Sequence, residues 1–219
     1  MKARVLLWPL FVFVLTLVAE WPARWLAAMA GLPAQGVSGS LWQGEAAQVG
    51  DAGPLKWQVQ PWRLRAQMRL GYQGQDWQVQ IAGWPWRWHA QLAALEPTAS
   101  VAADYRLAGH WQGRLDIDGA WRRCQHAAGR LQTQSLALVA PWSMALGEGW
   151  LQLQCDDDWR VQGALALAGQ HRVDLEAFLG ARRGRLTFAV QPQAALTPLL
   201  RGAQWLGPEA SSGERQWRW

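Results

Sequence analysis

Two cysteines, Cys124 and Cys155, four histidines and the carboxylates Asp116 and Asp118 are the residues best equipped for chemistry. Asp116-x-Asp118 puts two carboxylates on one side of an extended strand, with Arg114 beside them. Acid–base work would need a cleft around such a pair, and a surface ion pair needs none. The cysteines can form one bridge closing a loop of about 30 residues, or stay as two buried thiols. A zinc site from Cys124, His126 and Cys155 is a third arrangement, although Cys124-x-His126 lacks the usual finger spacing and no fourth ligand is evident. His89, His110, His126 and His171 fall on different predicted strands or at their ends. Gly36-Val-Ser-Gly-Ser40 misses the last glycine of a nucleophile elbow, and no phosphate loop, His-Glu-x-x-His or dinucleotide fingerprint occurs. The residues therefore imply no enzyme, metal, cofactor or small-molecule substrate.

The elements that must carry these residues begin with an export signal. Met1–Arg4 is basic, and Val5–Ala19 is an uncharged apolar run of 15 residues. The charge order keeps Lys2 and Arg4 in the cytoplasm and sends the rest across the membrane. As a helix the run spans about 22 Å against a hydrocarbon core of about 30 Å, short for a membrane span. Ala28-Met29-Ala30 offers a small-residue cleavage pattern, but it lies far beyond the apolar run, across Glu20, Trp21, Pro22, Arg24 and Trp25. Glu20 and Arg24 are spaced for a helical ion pair, Trp21 and Trp25 suit a membrane interface, and short spans are accommodated by local thinning. The balance favours a retained single-pass anchor. It predicts a cytoplasmic tip at 1–4, an anchor with juxtamembrane helix at 5–30, and a periplasmic domain at 36–219.

The formal charge of +5 resides almost wholly on arginine, since Lys56 is the only lysine after Lys2. Those arginines are spread along the chain, without a basic cluster, recognition helix or RNA-stacking motif, which argues against nucleic acid. Period-two alternation dominates. Leu55, Trp57 and Val59 alternate with polar residues up to Pro61; Leu64, Ala66, Met68, Leu70 and Tyr72 alternate with Arg63, Arg65, Gln67, Arg69 and Gly71. Each such run predicts a strand with one wet and one dry face. Further strands are predicted over 76–82, from Trp88 to Leu92, over 105–117 with Tyr105, Leu107, Trp111, Leu115 and Ile117 on one face, and over 130–139, 149–155, 159–167, 171–177, 185–191 and 215–219. Residues 96–100 form a loop that could separate halves at 36–95 and 104–219. Cys155-Asp-Asp-Asp-Trp159 reads as a hairpin turn with solvated carboxylates. Only 194–206 has helical spacing, stopped by Gly207-Pro208.

The fold class is thus all-β, an antiparallel and strongly twisted meander of many short strands, preceded by one transmembrane helix and carrying one short helix near the C-terminus. The 18 tryptophans fit the dry face, as core. Trp42-Gln-Gly44 and Trp111-Gln-Gly113 share a tripeptide, a faint sign of duplication.

Several segments together resemble the N protein of the bacterial type II secretion system, the general secretion pathway. They are the basic tip and single span, Gly36-Val-Ser-Gly-Ser-Leu-Trp-Gln-Gly44, Leu55-Lys-Trp-Gln-Val-Gln-Pro61, Cys124, and Leu146-Gly-Glu-Gly-Trp-Leu-Gln-Leu-Gln-Cys-Asp156. The Trp84-Pro-Trp86-Arg-Trp88 segment departs from that pattern. The resemblance implies a bitopic inner-membrane protein with a periplasmic β domain. It further implies a non-catalytic accessory whose partners are inner-membrane and periplasmic secretion components, the secretin among them. Two other classes fit the residues: a lipid-handling envelope protein with an open apolar β groove, and a small envelope hydrolase. The topology has a direct check. Alkaline phosphatase fused after residue 60 should be active and membrane-associated; activity released in soluble form means cleavage, and inactivity means the reverse orientation.

Overall fold

The computed structural model describes residues 16, 21–29, 31, 33–50, 52–96, 106–140, 143–155 and 158–219. After the short helix α1 (Ala23–Met29), alternation turns directly into strands. The first are β1 (Ala34–Gln35), β2 (Ser38–Gly39), β3 (Gln43–Ala46), β4 (Gln48–Val49), β5 (Leu55–Gln60), β6 (Arg65–Tyr72), β7 (Gln75–Trp84) and β8 (Arg87–Leu95). Then come β9 (Arg106–Ala108), β10 (Trp111–Ala120), β11 (Arg123–Ala140), β12 (Met144–Cys155), β13 (Trp159–Leu167), β14 (His171–Phe178) and β15 (Arg183–Val190), followed by helix α2 (Leu196–Gly202) and β16 (Ser212–Arg218). Thirteen strands lie side by side in the order β16-β15-β14-β13-β12-β11-β10-β8-β7-β6-β5-β3-β2, and every pairing is antiparallel. Strand β8, in the first predicted half, pairs with β10 in the second.

The register keeps most apolar positions on one face, Trp150 and Phe178 being exceptions that pair with Gln132 and Arg160. Leu70, Trp77 and Ala94 follow one another across three strands, as do Met68, Val79 and Leu92, then Leu115. Beyond β12 the same face carries Leu153, Val161, Ala177 and Gly184. The opposite face holds glutamine and charge: Gln58, Gln67, Gln80 and Gln91 are successive cross-strand neighbours leading to Asp116. One face is therefore apolar and the other wet, as period two demands.

The core is thin. Leu115, Leu131 and Leu153 form one buried cluster, joined by Trp77, Leu92, Trp111 and Trp159; Phe188, Val190 and Leu206 form another, covered by Leu196 and Leu200 from the α2 region. On β6 and β7, Met68 and Ile81 lie on the apolar face yet are 43% exposed. Tryptophan compensates through glycine. Trp57 lies across Gly44, Trp88 across Gly119 and Trp217 across Gly184, and a Cβ on these glycines would meet the ring at 2.4, 2.2 and 2.4 Å. Each glycine clears the space in which an indole lies flat on the neighbouring strand.

Three sequence expectations need correction. Residues 105–117 do not form one strand, because β11 is 18 residues long and accepts two partners: β10 pairs with its first half and β9 with Ala137, Leu138 and Ala140. The chain between is held by glutamine side chains, with Leu107 N–H donating to Gln73 Oε1 and Trp111 N–H to Gln75 Oε1. Leu64 is not in β6. It closes the Pro61–Arg63 turn at φ 50°, its N–H donating to the Pro61 carbonyl. The shared Trp-Gln-Gly tripeptide does not mark equivalent places either. Gly44 is an indole platform, whereas Gly113 stands at φ 104° where a Cβ would strike the Arg130 carbonyl.

The Trp–Gly pairing predicts non-additive stability. Gly184→Ala should destabilise the protein by about 1–3 kcal/mol, the cost of forcing a methyl group into packed space. In a Trp217→Ala background the same change should cost far less in urea unfolding, because the three atoms nearest that position all belong to the Trp217 ring.

Candidate functional site

Cys124 and Cys155 are joined in a disulfide, with Cα atoms 5.3 Å apart. They stand on neighbouring strands, as the bridge reading requires. The β11–β12 ladder runs from Leu131–Leu151 to Leu138–Met144; past Leu131, Arg130 donates to Gln152 Oε1 and the disulfide ties the strand ends. Both sulfurs are consumed by each other, so the zinc and free-thiol alternatives fall. Among the described residues no group of three or more His, Cys, Asp or Glu side chains could hold a metal ion.

The carboxylate pair sits on the wet face. Asp116 Oδ2 lies 3.3 Å from Arg114 Nε, and Asp116 Oδ1 accepts from Gln91 Nε2 at 2.7 Å. His89 Nδ1 donates to Asp118 Oδ1 at 3.0 Å. The histidine and Asp118 side chains are about half exposed, so solvent screens the pair and no cleft gathers it around a substrate. His126 and His110 are exposed, and His171 is buried, its Nε2–H donating to the Leu146 carbonyl. The arginines are absorbed by the same face. Arg172 grips Asp174 through two bonds of 2.9 and 2.8 Å, and that hydrogen bonding, then charge attraction, raises its pKa. Arg130 stacks on Trp150, while Arg160 and Arg183 flank Phe178. A cleft of about 870 Å³ opens between β2, β3 and β5 over Gln43, Glu45, Lys56 and Gln58. The Lys56–Glu45 ion pair in it, at 3.5 Å, is exposed, and Ser38 and Ser40 line its β2 side.

The hairpin turns at one end of the strands form a row stitched by hydrogen bonds. Leu41 N–H donates to Trp21 O, Val59 to Trp42, Gly83 to Leu64, Trp121 to Pro85, Leu179 to Trp159 and Trp219 to Arg182. Indole N–H groups add to it, Trp88 donating to Trp121 O and Trp159 to Arg122 O. Asp158 is not merely solvated. Its carboxylate accepts from the N–H groups of Trp159, Gly180 and Ala181, fastening the β14–β15 turn to its neighbour; Asp156 and Asp157 lie outside the described residues. The tryptophans also depart from the core expectation. No described tryptophan is among the buried residues, and Trp62, Trp84, Trp86 and Trp121 are exposed at 78, 52, 53 and 68%. The sequence signal was available, since these indoles adjoin Pro61, Pro85 and turn glycines rather than sitting mid-strand.

Of the predicted anchor and interface residues, Val5, Ala19 and Glu20 lie outside the described residues. Trp21, Arg24 and Trp25 are exposed, at the start of α1. Among the described residues no helix is long and apolar enough to cross a membrane. Pro22 forms a β-bridge with Ser40, so the N-terminal segment covers part of the β2 edge. The opposite edge belongs to β16, which pairs only with β15 among the described strands.

Among the described residues the protein is thus an antiparallel row of strands whose β16 edge pairs with β15 alone, tied by one disulfide. A family model for the type II secretion system protein N matches residues 30–218, and the chain belongs to that family. No curated protein and no solved structure gives a significant match. Membership makes the chain a component of the secretion machinery of the cell envelope, with other components of that system as its partners in general.

The disulfide carries a measurable share of stability. Cys124→Ser with Cys155→Ser should cost about 3–4 kcal/mol by loop-closure reasoning, read from chemical denaturation. Titration of the unreduced protein should find no free thiol.

Proposed function

We propose that this chain is a non-catalytic accessory of type II secretion. In this reading Val5–Ala19 is retained as an inner-membrane anchor, with Glu20, Trp21, Arg24 and Trp25 at its interface, and the β sheet occupies the periplasm. The sheet binds inner-membrane and periplasmic secretion components, the secretin included. The observation that carries the reading is the family match over residues 30–218 together with the unpaired edge of β16. Such an edge accepts a partner strand through main-chain hydrogen bonds. Glu214, Arg215 and Arg218 along it discourage indiscriminate pairing and favour a partner of matched charge. Anchoring raises the effective concentration toward other membrane components, so weak contacts suffice.

A second reading, an envelope lipid-handling protein, is favoured by one observation: Met68 and Ile81 on the apolar face are each 43% exposed. A photo-cross-linker at Glu214 or Gln216 separates the two in living cells. Capture of secretion components, with impaired secretion when Ser212–Trp219 is deleted, supports the accessory. Cross-links confined to lipid, or phospholipid co-purifying in fixed ratio with the protein, replace it by the groove. Hydrolysis of an envelope substrate, abolished by single substitutions, overturns both.

A further inference from the structure

The Trp-dense segment that the family resemblance leaves unexplained lies at the end of the sheet where the N-terminal segment arrives. Trp84 and Trp86 stack with centroids 4.9 Å apart, and Trp86 meets Trp121 at 6.3 Å. All three are more than half exposed, and Trp62, on the neighbouring β5–β6 turn, is more exposed still. This is a contiguous aromatic patch built from hairpin tips, where the core has no use for it. Arg63, Arg87, Arg122 and Arg123 sit on the same three turns and are exposed. No carboxylate occurs in 61–64, 84–87 or 121–123. Within the same row of turns, Leu41 N–H donates to Trp21 O, so Trp21 itself stands at this end.

From these positions we infer that the Trp84–Trp86–Trp121 patch with its arginines seats on the headgroup region of the bilayer that holds the anchor. The inference rests on the anchor reading above. Indole rings suit the interface because one edge is apolar and the N–H still finds a polar partner. Exposed guanidinium groups beside them complement anionic lipid phosphates and carry their apolar stems into the same layer. A protein hot spot would also use Trp and Arg. What favours the bilayer is the position, at the membrane-proximal end and next to the residues that connect to the anchor. Seating there would orient the strands away from the membrane and present the wet face sideways.

The test uses the full chain in vesicles of phosphatidylethanolamine and phosphatidylglycerol, with benzoylphenylalanine replacing Trp86, Trp121 or Trp205. Trp205, exposed at the opposite end of the strands, is the comparator. Irradiation should give lipid adducts by mass at positions 86 and 121 in clear excess over 205. Arg122→Glu should lower the yield at position 121 about fivefold, the effect of one basic side chain at an anionic surface. Retention of the Cys124–Cys155 bond in each variant reports that the sheet is intact. Yields at 86 and 121 no higher than at 205, or adducts only to a second copy of the chain, overturn the inference. Carbonate extraction of the same vesicles scores the anchor separately. An inserted chain without adducts sinks only the patch, and an extractable chain with adducts sinks only the anchor.

Discussion

Thirteen strands in one row satisfy each other's backbone groups, and the rest of the molecule is arranged around keeping that ladder in register. A slip of one residue would turn every leucine and tryptophan of a strand onto the glutamine face. Register is held by devices spread along the sheet rather than by a deep core. Trp–Gly pairs lock β3 to β5, β8 to β10 and β15 to β16. Where β10 meets β11, glycines at positive φ allow the strands to approach, and where the β11–β12 ladder ends the disulfide takes over.

A sheet that does not close has two edges and one apolar face to manage. The molecule treats them unequally. The β2 edge receives Pro22, while the β16 edge carries charge and among the described strands pairs with β15 alone. The apolar face is covered near its C-terminal end by Leu196, Leu200 and Leu206, and in the middle by its own tryptophans. Over β6 and β7 the cover is thinner. The described surface therefore offers an edge, a thinly covered apolar face and exposed hairpin tips.

That distribution agrees with membership in a secretion-machinery family. Main-chain edges and aromatic tips bind other macromolecules or surfaces, whereas catalysis needs convergent groups sheltered from water. The His89–Asp116–Asp118 cluster illustrates the difference: its hydrogen-bond geometry is good, yet its side chains remain solvated on an open face.

The sequence by itself determined most of the strands and the small C-terminal helix, because period two and turn residues are local signals that each segment carries alone; it left 123–129, the part of β11 that pairs with β10, unassigned. It also narrowed the cysteines to a bridge, two thiols or a metal site, and the register of β11 and β12 chose the bridge. Only the tertiary structure decided that Leu107 leaves the line of β10, since the second partner of β11 is set by strand length and by Gln73 and Gln75 far away in sequence. It likewise decided that Asp158 fastens a distant turn and that Trp84, Trp86 and Trp121 meet outside the core. Alternation says which face a strand residue occupies. It says nothing of residues at hairpin tips, whose neighbours are fixed only when successive hairpins are laid side by side.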